Sequence, residues 1–336
     1  VGQAHQCTFC GLNGSLMEFR SKSPDTVIAE LRHLVTRHQV LDVIAVDNII
    51  DNTYFSTVLP RIAELDWDLR VHYEVKSNLK PAEIDALKRA GVAHVQPGIE
   101  SLVSPVLTMM DKGVSGLRNV RTLRDCESAA LTVSWNWLYG FPEETPADYA
   151  DVLAQIPALS HLQPPSAAGR ILLERFSPYF ENGALGFPER STAELYRHVY
   201  RLAEQDMADM VYLFRTEPRG LTEAQAEPLH DAIGGWHERY TESYLQRVDV
   251  DGAIVIQDRR ANWPHEDIVI EDPDLVAAYA ELEYGRSLPA VVDRLGSADP
   301  DRLRDWVFWL RERGLVFVEQ GSILALATTA APVKVG

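Results

Sequence analysis

Apolar and polar residues follow two different periods along the first two thirds of the chain. Short β-branched and apolar runs at residues 41–46 (LDVIAV), 70–75 (RVHYEV), 93–97 (AHVQP), 132–138 (TVSWNWL), 169–173 (GRILL) and 210–214 (MVYLF) are separated by stretches of helical period. This is how a parallel α/β sheet or barrel reads in one dimension. The helical stretches carry start signals at Ser23-Pro24, Lys80-Pro81 and Thr145-Pro146, and the second closes at Gly91, because proline fits the first turn of a helix and glycine its end. Along 70–78 the alternation puts Glu74, Lys76 and Asn78 on one face and Tyr73, Val75 and Ser77 on the other. Three polar side chains on one face of a buried strand are costly unless they meet a ligand or one another.

Past Pro218 the rhythm changes. Residues 229–244 predict a helix and 248–260 (VDVDGAIVIQDRR) a hairpin turning at Asp251-Gly252. Helices at about 274–284, 288–295 and 301–313 follow, then a two-stranded wing at 315–319 and 323–327, an order that resembles a winged helix. The expected division is a core over 1–219, a linker helix and hairpin over 220–269, and a winged-helix-like domain over 270–330.

Composition narrows the function. The 336 residues carry 32 Lys and Arg against 49 Asp and Glu, a net charge of −17 that disfavours nucleic acid as partner. No apolar run approaches the ~20 residues of a membrane span, and three cysteines, two of them adjacent in a C-x2-C, predict a cytoplasmic protein with no disulfide framework. The chain starts at Val1 with no signal-peptide pattern, and its natural start is expected upstream. No G-x-S-x-G or P-loop string supports a serine hydrolase or a nucleotide hydrolase.

The densest chemistry lies in HQCTFCGLNG, residues 5–14. Two thiolates two residues apart can ligate one metal or two irons of a cluster, and the glycines let backbone amides turn toward sulfur. By itself the string leaves three readings open: a cluster, an unliganded pair, or a zinc site that would recruit His5 and a remote residue. Cys126, on a predicted helix, reads as a small core residue.

The longer string CTFCGLNGSLMEFRSKSP, followed by the strand-helix repeats, resembles the radical S-adenosylmethionine (radical SAM) superfamily, and within it the branch that matures ribosomally made peptides (RiPPs). The resemblance implies a partial (β/α)6 TIM-type barrel holding a 4Fe-4S cluster and SAM, with Cys7 and Cys10 as the last two cluster cysteines and Phe9 beside the adenine. The common C-x3-C-x2-C spacing would need a cysteine where Gln3 stands; the C-x7-C-x2-C spacing of this branch puts the first cysteine before Val1. The resemblance further implies SAM contacts from Asp47 and Asn48 after the first strand, Glu74, Lys76 and Asn78 on the second, Gln96 and Glu100 in HVQPGIESL, and Asn136, Gly140 and Glu144 in SWNWLYGFPEET. Arg175, Ser177 and Tyr179, in the RFSPYF string, are expected near the substrate mouth, and residues 19–22 (FRSK) over the cluster loop. Plainer roles stand beside these: Asn48 and Asp51 as helix caps, a Glu74 and Lys76 ion pair with Asn78 as a cap, Glu100 at a helix start, Arg175 in a structural salt bridge.

The activity implied is C-methylation of an unactivated peptide carbon, with the cobalamin-binding domain of such methyltransferases lying upstream; peptide epimerisation and carbon-sulfur bond formation use the same barrel. The implied partners are a precursor peptide with its leader, which the winged-helix-like module would bind by strand addition, and a flavodoxin- or ferredoxin-type electron donor. A zinc-binding, non-catalytic peptide-binding module is the alternative of another class. No catalytic acid or base stands out.

Overall fold

The computed structural model describes residues 7–12, 19–296 and 299–329; the expectations for Gln3 and His5 lie outside them. Four parallel strands, β1 (Asp42–Ile44), β2 (Arg70–Val75), β3 (Val92–Pro97) and β4 (Thr132–Val133), form one sheet in the order β1-β2-β3-β4. β5 (Trp137–Tyr139) pairs in parallel with β6 (Ala168–Arg170). The single strand expected over 132–138 is therefore cut in two, and it changes partner at the cut. Ser134 still donates to the Val95 carbonyl at 3.0 Å, whereas the Trp135 carbonyl accepts from Ser166 at 2.6 Å.

The run expected over 169–173 likewise splits, into β6 and β7 (Leu173–Glu174). β7 joins β8 (Ser191–Thr192) and β9 (Leu213–Arg215) in the order β7-β9-β8, with both β7 and β8 antiparallel to β9. The fold is a partial barrel of mixed α/β content, and the last strand of the expected six enters antiparallel. Its reach was misjudged at the start, because Met210 still belongs to the helix Glu204–Met210.

One face of the parallel sheet is the core. Val71, Tyr73, Val75, Val95, Val133, Trp135 and Trp137 are all buried, and the helices Pro81–Arg89 and Gly116–Ser128 bury Ile84, Leu87, Val120 and Leu123. Trp135 and Trp137 are packing residues, the Trp135 indole donating to the Gln163 carbonyl at 3.0 Å. Cys126 is wholly buried there, its thiol pushed up by desolvation and inert.

The hairpin turns at Asp251 (φ 49°) and Gly252 (φ 85°), two left-handed residues that match strand twist, between β10 (Leu245–Val250) and β11 (Ala253–Asp258). A third strand, β12 (Glu266–Ile270), extends it to a meander. Then come the helix Pro273–Leu282, β13 (Arg286–Ser287), the helices Leu288–Leu295 and Pro300–Glu312, and the hairpin of β14 (Val316–Glu319) and β15 (Ser322–Ala325).

This last unit is fastened to the outside of the barrel. Glu319 accepts from the Leu117 amide at 2.7 Å and the Ser104 amide at 3.3 Å, capping two helix starts at once. Arg124 donates to the carbonyls of Ala325 (2.7 Å) and Glu283 (3.0 Å). The Gln155 amide group bonds both the N–H and the carbonyl of Val318, at 2.8 and 3.0 Å, so β14 has no open edge there for a further strand. Among the described residues no helix is long and apolar enough to cross a membrane.

Candidate functional site

The cysteine loop is a tight turn, with the Cys10 amide donating to the Cys7 carbonyl at 3.2 Å. A turn on its own would not fix two thiols, and this one is held by residues far away in sequence. The Thr8 amide donates to the Met110 carbonyl (3.0 Å) and its hydroxyl to the Met109 carbonyl (2.9 Å). On the other side the Tyr179 amide donates to the Thr8 carbonyl at 3.0 Å, and the Gly11 amide to Glu174 Oε2 at 2.8 Å. Phe9 meets Phe141 edge to face, centroids 6.0 Å apart. Gly11 is required by contact, since a Cβ there would stand 2.0 Å from the Arg175 carbonyl oxygen.

Both thiols are free and half-buried. Burial pushes each upward first; the Lys112 ammonium pulls the Cys7 thiol back down while Glu100 and Asp111 oppose it, and at Cys10 the Glu174 carboxylate adds to the upward push. Lys112 pairs with Glu100 at 3.3 Å. Glu100 is held left-handed at φ 59°, a conformation that a side chain tolerates only under local constraint, here the Leu138 amide donating to its carbonyl at 2.7 Å. Glu100, on the loop after β3, and Lys112, past the helix Ser104–Met109, thus form an ion pair beside Cys7, at the carboxyl end of the parallel strands, where such sheets place ligands.

The second part of the site is the face of the sheet opposite the core. Burial along β2 alternates as the sequence predicts: His72 and Glu74 are half-exposed and Lys76 and Asn78 exposed, while Val71, Tyr73, Val75 and Ser77 are buried. Register places Glu74 beside Gln96 and His72 beside His94. The two imidazoles stack with centroids 4.2 Å apart and planes 13° apart, and His94 Nε2 lies 2.6 Å from Ser134 Oγ. Asn136 is exposed beyond them. Gly169, on β6 of the neighbouring two-stranded sheet, has nothing within 4 Å of where a Cβ would stand.

The expected residues therefore divide. Glu74, Lys76, Gln96 and Asn136 share the open face, and Glu100 and Phe9 adjoin the cysteine loop. Asp47 and Asn48 are exposed after β1; Asp51 accepts from the Thr53 amide at 2.8 Å in the turn before the next helix, whose N-cap is Thr53. Asn78 does not cap the next helix, since Glu83 returns to the Lys80 amide at 2.8 Å; its carbonyl accepts from Arg118 at 3.0 Å.

Glu144 is buried with both oxygens committed, to the amides of Gly140 (2.5 Å) and Leu221 (3.0 Å) and to the Tyr149 hydroxyl (2.8 Å), so its carboxylate shapes the turn around Gly140. Arg175, Ser177 and Tyr179 also differ from expectation. Arg175 donates to the carbonyls of Val211 (2.7 Å) and Ala208, and Ser177 caps the short helix Pro178–Glu181 while donating to the Glu174 carbonyl (2.8 Å). Tyr179 is buried against Phe187. The RFSPYF segment holds the cysteine loop, and its polar side chains are used up in doing so. In the FRSK segment, Lys22 pairs with Glu30 at 2.6 Å.

Sequence reasoning passed over Lys112, Glu174, Tyr212, His72, His94 and Ser134. The histidines were legible, because alternation puts them on the face of Glu74 and Gln96; the others come from contacts between segments distant in sequence.

Two thiolates fit two of the three positions that a radical SAM cluster takes from protein, and among the described residues Cys126 is too deeply buried to be the third. A closed zinc site needs four ligands, and among the described residues no group of three or more His, Cys, Asp or Glu could hold a metal.

Residues 4–156 match the Radical SAM superfamily. Among solved structures, the cobalamin-dependent S-adenosylmethionine radical enzyme OxsB with aqua-cobalamin bound superimposes with a TM-score of 0.51 at 12% identity, covering 69% of this chain and 39% of that one. The radical S-adenosylmethionine methyltransferase TsrM from Kitasatospora setae, bound to tryptophan substrate and a SAM analog, gives 0.43 at 19% identity over 53% and 36% of the two chains. Coproporphyrinogen III oxidase (HemN) from Escherichia coli gives 0.40 at 12% identity over 95% and 83%. The chain thus spans 39% or less of the OxsB and TsrM chains, and no curated protein matches it.

Proposed function

From the match of residues 4–156 to the Radical SAM superfamily, we propose that the protein is a radical SAM enzyme that methylates an unactivated carbon of a ribosomally made peptide, with cobalamin as methyl carrier. The observation that carries the radical SAM class is the clamped C-x2-C loop at the carboxyl end of a parallel sheet whose open face is polar. Methylation and cobalamin rest on the sequence resemblance; the OxsB likeness, at 12% identity, speaks for the fold alone. Epimerisation and carbon-sulfur bond formation are the readings to be separated from methylation by the mass and stereochemistry of the product.

In this reading Cys7 and Cys10 hold the cluster, which when bound supplies one electron to the sulfonium of SAM. The chain's own work is binding and exclusion of water. The Glu100 and Lys112 pair offers one acceptor and one donor beside Cys7, suited to the amino and carboxylate groups of an amino acid. Glu74, Gln96 and Asn136 offer hydrogen bonds along the open face, and Phe9 lies flush with the cysteine turn. The peptide partner and an electron-donor protein belong to the proposal; with β14 bonded to Gln155, the peptide contact is assigned to the open face rather than to the wing edge.

The test is anaerobic reconstitution of the full-length protein with iron and sulfide, reading the electron paramagnetic resonance of the reduced protein with and without SAM. A cluster signal that shifts on SAM addition and is lost in Cys7→Ala and Cys10→Ala is expected. Stoichiometric zinc with no iron or sulfide uptake would overturn it in favour of a binding module.

A further inference from the structure

The carboxylate of Glu174 has no role in the reading above, yet it is placed against the metal loop. Glu174 ends β7, and its Oε2 accepts from the Gly11 amide at 2.8 Å and from the Tyr212 hydroxyl at 3.0 Å. Gly11 is buried and immediately follows Cys10. The position is fixed from both neighbours: the Arg175 carbonyl abuts Gly11, and the Arg175 amide donates to the Tyr212 carbonyl at 2.8 Å. Burial, then the Glu174 carboxylate, pushes the Tyr212 phenol upward, so it keeps its proton and donates. Among the described residues no Lys, Arg or His forms a salt bridge with Glu174. A partly buried carboxylate spent on two neutral donors keeps its field, which acts on whatever Cys7 and Cys10 hold.

We propose that Glu174 and Tyr212 are positioning residues of the metal centre: the carboxylate clamps the cysteine loop through Gly11 and sets a negative charge beside Cys10 that lowers the reduction potential of a cluster bound there. The proposal rests on the radical SAM reading for its second half. A nearby anion disfavours adding an electron, and hydrogen bonding and net charge around a cluster are among the factors that set its potential.

The two halves separate experimentally. In the metal-free protein, hydrogen exchange at the Gly11 amide is expected to be slow, to stay slow in Glu174→Gln, whose side-chain oxygen still accepts, and to become fast in Glu174→Ala. In the reconstituted protein, Glu174→Gln is expected to retain iron and to raise the midpoint potential, read as a larger reduced fraction at fixed reductant; a tenfold change in that ratio equals 59 mV for one electron. A Gly11 amide that exchanges freely in the wild-type protein overturns the clamp. Equal potentials for wild type and Glu174→Gln overturn the charge effect. If wild type takes up no iron and sulfide, the radical SAM reading and the charge effect fall together, and Gly11 exchange still decides the clamp.

Discussion

His94 shows how much a single side chain on the open face is shaped by its surroundings. Burial first and the His72 ring second push its imidazole below the ordinary value of about 6.5, so the fold favours neutral His94. Around it stand His72 on β2, Ser134 after β4, and, one step along the strands, Glu74 and Gln96. Because the folded value lies below the unfolded one, the unfolded chain binds the proton more readily, and the stability that His94 contributes is full above about pH 6.5 and drains away as pH falls toward the folded value. His94→Gln is expected to lose less of its urea midpoint than wild type between pH 7.5 and 5.5; equal losses would show that the imidazole does not titrate in this way. At this scale the sequence was a fair guide to faces and a poor one to commitments. Alternation put Glu74 and Gln96 on the open side, but no local pattern reveals that Glu144 also accepts from the Leu221 amide 77 residues away, or that the guanidinium of Arg175 is consumed by main chain 33 and 36 residues away.

Among elements, the barrel and the wing meet where two helices begin. Glu319, at the end of β14, satisfies the Ser104 and Leu117 amides, groups that a helix leaves without internal partners. Glu319→Ala is expected to cost about 1–3 kcal/mol for each amide left dry, measured by urea unfolding, whereas Glu319→Gln should recover part of the loss by accepting one of the two bonds. Full stability in the alanine variant would mean that water reaches both amides. The elements best read from sequence are those whose signal is local: β2 covers the run 70–75 that alternation marks as a strand, and Asp251-Gly252 fixes its hairpin. The strand over 132–138 was legible as a strand and illegible as two, since its interruption arises from a change of partner between Val95 and Ser166.

For the molecule as a whole, one buried cation joins the parts. Arg260 has no exposure and pairs with Asp258 at 2.5 Å. It also donates to the carbonyls of Ala158 (2.9 Å) beside the barrel and of Gly314 (2.7 Å) and Arg313 (3.0 Å) before the wing, with Trp263 over its guanidinium at 4.3 Å. Removing one partner of a buried pair strands the other, at about 3–5 kcal/mol. Arg260→Met is expected to destabilise by that order and to separate the fluorescence transition, which includes Trp263, from the loss of helix seen by circular dichroism. A single coincident transition at the wild-type midpoint would refute the linking role.

The clamp on the cysteine loop also fixes an order in time. Cys7 and Cys10 leave the ribosome well before several of the groups that hold their loop: Met109 and Met110 follow about 100 residues later, and Glu174, Tyr179 and Tyr212 only after 163 residues or more. Closing so long a loop is an entropic cost met only when the distant partner exists. The thiols therefore wait for part of their scaffold after they are made, and their geometry is completed only once residue 212 has emerged, which makes loading of the centre an event that follows synthesis of the β7–β9 segment.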